Sequence, residues 1–176
     1  EVFNNAGMIV EYCDVLGNTG KGSKGDGIVL ESCWAVWMSN LTAKNLSGRG
    51  YVFKDLHHSY ITDLTAENCA GAGVVSGGSY YQLSDLTVNK TSGIDLSDTV
   101  FATVSNIKVD TSDKTGIAIS NSSGNGLYNI SIKNTEGAAI AEQGTVDYNR
   151  FDQLTYESCG KDPLISGKNS LMTKKG

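Results

Sequence analysis

Apolar residues recur along this chain with two superposed periods. Within short stretches they alternate, and the stretches themselves return every 21–24 residues. The clearest marker is a tetrapeptide, read as Ser39-Asn40-Leu41-Thr42, Thr62-Asp63-Leu64-Thr65, Ser84-Asp85-Leu86-Thr87, Ser105-Asn106-Ile107-Lys108, Tyr128-Asn129-Ile130-Ser131 and Asp152-Gln153-Leu154-Thr155. Its aliphatic residue is followed two positions later by Ala43, Ala66, Val88, Val109, Ile132 and Tyr156. It is preceded by Met38, Ile61, Leu83, Val104, Leu127 and Phe151. Alternation of this kind belongs to a strand with one buried face. A further short strand opens each unit after a glycine, as in Gly27-Ile28-Val29-Leu30, Gly50-Tyr51-Val52-Phe53, Gly93-Ile94-Asp95-Leu96 and Gly116-Ile117-Ala118-Ile119.

Three short strands per unit, with no helical stretch between them, predict an all-β coil. Successive turns stack at strand spacing, about 4.8 Å, and place like residues above like. The expected architecture is a right-handed parallel β-helix of about seven coils, a single domain over residues 1–176. A leucine-rich repeat has a similar period, but it needs more leucines than this chain carries. Val10, Tyr12 and Asp14 copy the spacing of Leu41, Ala43 and Asn45, which leaves Gly17–Gly27 as an inserted surface loop. Asn45, Asn68 and Asn134 share one position, where the coil must bend. There a stacked asparagine can satisfy turn backbone and tolerate a left-handed conformation. Neither end shows a cap, so the chain is expected to be a segment of a longer protein or a unit that stacks on partners.

Composition narrows the function classes. Gly, Ser, Thr and Asn supply about 39% of the 176 residues, charged residues only 19%, and the net charge is −5. No basic stripe is available for nucleic acid or an anionic membrane surface. No apolar run approaches the ~18 residues of a membrane-spanning helix. The four cysteines, at 13, 33, 69 and 159, include no CxxC pair, so no metal site or other cofactor is expected. Free thiols are the expectation, with a Cys13–Cys33 bridge as the alternative.

Stacking gathers candidate chemistry on the outside. Asp55 and His57 are two apart and can share a face as an acid–base couple or as an exposed salt bridge. Ser32, Asp55, Gly77, Asp98 and Asn121 fall in one column, and Asp95 lies near it. Asp55 and Asp98 are therefore about 10 Å apart, close to the carboxylate spacing of an inverting glycosidase. Asp55, Asp95, Asp98 and His57 are the candidate catalytic residues. Trp37 and Tyr60 share an outward column, Trp34 and His57 another, and His58, Tyr80 and Phe101 a third. Trp34, Trp37, Tyr60, Tyr80 and His58 make a strip that can stack on sugar rings or pack against another subunit.

The Gly25-Asp26-Gly27-Ile28 segment, the six tetrapeptides and Asn45, Asn68 and Asn134 resemble the pectate-lyase-like superfamily of right-handed β-helices, nearest in style to phage tailspike and depolymerase domains. The resemblance implies an extracellular, cell-surface or virion protein that binds or cleaves polysaccharide, of a kind that often forms homotrimers. The catalytic signatures of polygalacturonases, alginate epimerases and pectate lyases are missing, so no catalytic residue transfers. The competing expectation is a non-catalytic structural or adhesive β-helix that stacks end to end or side by side.

Overall fold

The computed structural model describes residues 2–3, 7–16 and 25–174. Strands β1 (Val2–Phe3) and β2 (Ile9–Leu16) come first. Six complete coils follow, each a pair of strands: β3 (Ile28–Trp34) with β4 (Trp37–Lys44), β5 (Tyr51–His57) with β6 (Tyr60–Glu67), and β7 (Val74–Ser79) with β8 (Gln82–Thr91). The series continues with β9 (Ile94–Val100) and β10 (Thr103–Ser112), β11 (Ile117–Ser120) and β12 (Gly126–Thr135), and β13 (Ile140–Gln143) and β14 (Arg150–Glu157). Strand β15 (Leu171–Lys174) adds to the last coil. Odd-numbered strands from β1 to β13 form one sheet and even-numbered strands plus β15 form the other, every pairing parallel. The expected coil thus has six full turns where seven were counted, because β1 has only two residues and β15 lacks a partner strand in the other sheet.

The ladders are the ones the repeat predicts. Leu41, Leu64, Leu86, Ile107, Ile130 and Leu154 pair in register, as do Met38, Ile61, Leu83, Val104, Leu127 and Phe151. All twelve are buried, and with Tyr51, Phe53, Leu56 and Leu96 they form one continuous core. The first unit is an exception. Cys13, not Val10, pairs with Leu41; Val10 pairs with Met38 and Val15 with Ala43. Most of the Gly17–Gly27 loop, residues 17–24, lies outside the described residues. All four cysteines are free thiols, which replaces the Cys13–Cys33 alternative.

Each coil has two bent strands where three short ones were expected. The bends are left-handed residues inside and after the strands, and they recur in four columns. One runs Ser32, Asp55, Asp98, Asn121, the next Ala35, His58, Tyr80, Phe101, Tyr148. The third is Asn40, Asp63, Asp85, Asn106, Asn129, Gln153, and the fourth Asn45, Asn68, Lys90, Thr111, Asn134, Ser158. All have φ between 47° and 57°. Asn and Asp dominate the first and third columns and supply half of the fourth, because their short polar side chains tolerate the left-handed region best among non-glycine residues; the second column has neither and is mostly aromatic. In the fourth column the asparagines bond to neighbouring side chains, not to turn backbone: Asn68 Nδ2 donates to Asn45 Oδ1 at 2.8 Å, and Asn134 Nδ2 to Asp110 Oδ1 at 2.9 Å.

Backbone capping occurs instead at an inner corner. Ser59, Asn125 and Asn149 point inward immediately after the second left-handed column and are buried. Ser59 Oγ accepts the Val36 N–H at 3.0 Å, and Asn125 Oδ1 accepts the Ala102 N–H at 2.9 Å. Asn149 Oδ1 accepts both the backbone N–H and the side-chain amide of Asn125. Glu142, also buried, accepts from Asn149 Nδ2, Ser170 Oγ and the Ser166 and Gly167 N–H groups, tying the last coil to the chain beyond it.

Three substitutions at two positions test this packing. Leu86→Ala removes the middle rung of a fully buried ladder and is expected to cost about 2–5 kcal/mol in denaturant unfolding, while Leu86→Asp is expected to abolish the cooperative melt. Asn125→Ala strips three side-chain hydrogen bonds from a buried corner and is expected to cost about 2–3 kcal/mol in the same measurement. A near-native melt for Leu86→Asp would contradict the register.

Candidate functional site

The second left-handed column turns the chain between the two sheets and throws its side chains outward. His58 stacks on Tyr80 with ring centroids 5.4 Å apart and planes 5° from parallel, and Tyr80 stacks on Phe101 at 5.4 Å. The residue before the corner also points out, so Trp34 reaches His57 at 4.7 Å and His58 at 5.4 Å. On the far side Trp37 stacks on Tyr60 at 5.5 Å. Trp34, Trp37, Tyr60, Tyr80 and Phe101 are each 44–56% exposed, so two aromatic stacks, one on each side of the corner, together form a strip open to solvent. The strip therefore contains all five expected binding residues, and Phe101 extends it by one coil. The inner corner residue Ser59 holds the backbone beneath it, donating to the His57 carbonyl at 2.8 Å.

Beside the strip, strand β7 is one residue short. Gly77 alone stands opposite Lys54 and Asp55 on one side and Ser97 and Asp98 on the other, and the register shifts there. The tightened backbone leaves no space for a side chain: a Cβ on Gly78, whose φ is +126°, would collide with the Leu56 backbone, and one on Gly77 would meet the Ser97 carbonyl at 2.5 Å. The result is a glycine-floored notch of about 320 Å³, lined by Asp55 and Asp98 with Lys54, Ser76 and Ser97. Asp55 and Asp98 are thus brought together across one intervening coil. Asp95 is not among the notch residues. It lines a neighbouring groove with Arg49 and Lys114, and it accepts a 2.5 Å hydrogen bond from Ser97 Oγ. Lys54 is paired with Glu31 at 3.5 Å.

His57 joins the strip to the notch. Its Nε2 lies 2.7 Å from Asp55 Oδ1 and its Nδ1 lies 2.7 Å from Ser79 Oγ. Ser79 is a residue that sequence reading missed. Nothing in its local sequence marks it; only the pairing of His57 with Ser79 across adjacent coils does so. The outer face of the even-numbered sheet carries a second feature not anticipated as a site. The tetrapeptide's own Asn/Asp column bends that sheet inward and lines a polar groove of about 480 Å³ with Asn40, Asp63, Asp85, Asn106, Thr65 and Lys108. Asn129 Nδ2 donates to Asn106 Oδ1 and Asn106 Nδ2 to Asp85 Oδ1, each at 2.9 Å.

The Asn106 amide, with further hydroxyl bonds, holds the Asp85 carboxyl below the usual carboxylate range. Asp26 is held low by a two-pronged contact with Arg49, whose Nη2 donates to Oδ2 at 2.6 Å and Nε to Oδ1 at 3.0 Å. A folded pKa below the unfolded value adds stability that is complete above the unfolded pKa, near ~3.9, and is lost as pH falls through the folded value. The melting temperature is therefore expected to decline below about pH 4, with a shallower decline in Asp26→Asn and Asp85→Asn. Calorimetry from pH 5 to 2.5 measures the difference, and parallel curves would show that these carboxylates are not the groups responsible.

A family model described as periplasmic copper-binding protein (NosD) matches residues 2–167, nearly the whole chain. That family has the right-handed, pectate-lyase-like parallel β-helix fold, in agreement with the architecture found here. No curated protein matches the chain. The donor set does not fit a copper centre: among the described residues no three His, Cys, Asp or Glu side chains converge. Both ring nitrogens of His57 are engaged, the His58 ring lies flat on Tyr80, and Cys33 and Cys69 are buried in the core. No helix among the described residues is long and apolar enough to cross a membrane.

Proposed function

We propose that this chain, which belongs to the NosD family, is a polysaccharide-binding β-helix acting on the periplasmic side of the cell envelope. The observation that carries the reading is the strip of exposed rings from Trp34 and Trp37 through Tyr60, His58 and Tyr80 to Phe101. The apolar C–H face of a sugar ring packs on an aromatic face, while its hydroxyls need hydrogen-bonding partners at the edges. Here those partners are Gln82, which stands beside Tyr60 in the same column one coil further on, and the carboxylates of the notch. Stacked coils repeat the platform along the axis, which suits a polymer better than a single sugar. With a net charge of −5, the surface favours neutral or amino-sugar chains over polyanions.

The notch supports a second reading, cleavage of the bound chain. Two carboxylates face one cavity, and the coil spacing sets them about 10 Å apart, near the separation that admits a water in inverting glycosidases. Affinity electrophoresis against bacterial surface polysaccharides tests binding. Tyr80→Ala and Trp37→Ala are each expected to weaken retention at least about five-fold, the equivalent of ~1 kcal/mol of stacking. Reducing-end assays on the same polymers test cleavage, with Asp98→Asn expected to remove any turnover. No retention on any polymer, together with a trimer or larger assembly in light scattering that Tyr80→Ala dissociates, would favour a structural or adhesive role.

A further inference from the structure

We propose that Asp55, His57 and Ser79 form a serine-nucleophile site that hydrolyses esters. Its substrate class is O-acyl groups, such as acetyl, on sugar hydroxyls; the sugar part of this assignment rests on the polysaccharide reading above. The three side chains form one unbroken hydrogen-bonded chain, Asp55 Oδ1 to His57 Nε2 at 2.7 Å and His57 Nδ1 to Ser79 Oγ at 2.7 Å. A simple surface ion pair between Asp55 and His57 would leave Nδ1 in water. Here that nitrogen meets a hydroxyl, and the ring is held from one side by Trp34 at 4.7 Å. When Nε2 carries the proton and donates to Asp55, Nδ1 is free to accept from the Ser79 hydroxyl. This is the tautomer that general-base catalysis requires.

The fold supplies the geometry. Asp55 is left-handed, with φ of 53°, which lets its carboxylate reach the side chain two residues on. His57 and Ser79 are paired across adjacent coils, so their side chains emerge side by side. Ser79 immediately follows Gly78, whose backbone floors the notch, and it precedes Tyr80 of the aromatic strip. A sugar stacked on Tyr80 therefore presents its substituents beside the hydroxyl. The same arrangement commits the Asp55 carboxylate to orienting the imidazole.

The chemistry balances with water alone. Ser79 Oγ attacks the ester carbonyl carbon as its proton passes to His57 Nδ1, and Asp55 stabilises the imidazolium. The carbon–oxygen bond to the sugar breaks, and the departing sugar oxygen takes the proton from Nδ1. Water then attacks the acyl-Ser79 ester, giving its proton to Nδ1. Collapse returns that proton to Ser79 Oγ and releases the carboxylic acid. One ester and one water yield one acid and one alcohol, with nothing oxidised or reduced.

A fluorophosphonate probe followed by peptide mass spectrometry tests the site without any sugar. The wild-type chain is expected to carry the phosphonyl adduct on Ser79 and to hydrolyse p-nitrophenyl acetate. Ser79→Ala is expected to lose both, His57→Gln to label at least about 100-fold more slowly, and Asp55→Asn at least about 10-fold more slowly. Asp55 is exposed and Asn keeps the left-handed preference, so Asp55→Asn is expected to melt as the wild type does and remains informative if His57→Gln unfolds. No adduct on Ser79, or equal labelling rates in wild type and Asp55→Asn, overturns the proposal. Acetate release from an O-acetylated glycan, lost in Ser79→Ala, supports the substrate class, and equal release in that variant overturns it. Because labelling needs no glycan and retention needs no Ser79, failure of either reading is distinguishable from failure of the other.

Discussion

The coil closes through backbone that turns left-handed at corresponding places on successive turns. Each such residue carries a conformational cost of about 1–2 kcal/mol unless it is glycine, and somewhat less for Asn and Asp. The chain meets that requirement at four columns, with 22 non-glycine residues at positive φ among those described. In-register stacking is what offsets the cost. It lets side chains bond rung to rung, as Asn129, Asn106 and Asp85 do, and seals aliphatic columns within the core. The composition follows from this requirement: many small polar residues, few charges, and aliphatics confined to a handful of inward positions.

The same requirement determines where chemistry can appear. A left-handed residue at a bend throws its side chain away from the core, so each bend column is an outward ladder. One ladder is amide and carboxylate, another is aromatic, and their neighbours inherit the spacing. Residues 22 apart in sequence, such as His57 and Ser79, come into hydrogen-bond contact, while Asp95 and Asp98, three apart, face different hollows. Sequence proximity is a poor guide to such a surface, and coil register is a good one.

That contrast explains how far the sequence could be read. Leu41, Leu64 and Leu86 were legible as a ladder because burial imposes a strict period on aliphatic residues. The aromatic strip followed from it, since Trp34, Trp37, Tyr60 and Tyr80 sit at fixed offsets from those leucines. The first coil was misaligned because the Leu41 rung is filled there by a cysteine, not an aliphatic residue, so Val10 passed for it; Cys13 and Val15, not Val10 and Tyr12, face the Leu41 and Ala43 positions. The bends inside strands were invisible for a related reason: they leave the inward set intact and alter only polar positions, which carry no period of their own. Ser79 was invisible because serine is common in this chain and its partner lies a full coil away. The inner corner at Ser59, Asn125 and Asn149 left only a polar residue at an inward position, a signal recognisable once the register is known.

The short strand β7 carries one further consequence. The missing residue beside Gly77 displaces the register only locally; by Ser79 the columns have rejoined those of His57 and Val100. In most folds a single-residue deletion inside a strand inverts every side chain downstream, but here the neighbouring coils on both sides re-impose the frame within one strand. Single-codon gains and losses are thus a tolerated form of variation in this architecture. Each one moves a bend, deepens or fills a hollow, and changes which side chains meet, while the rest of the solenoid keeps its place. New sites can arise in such a lineage by editing length as readily as by exchanging residues.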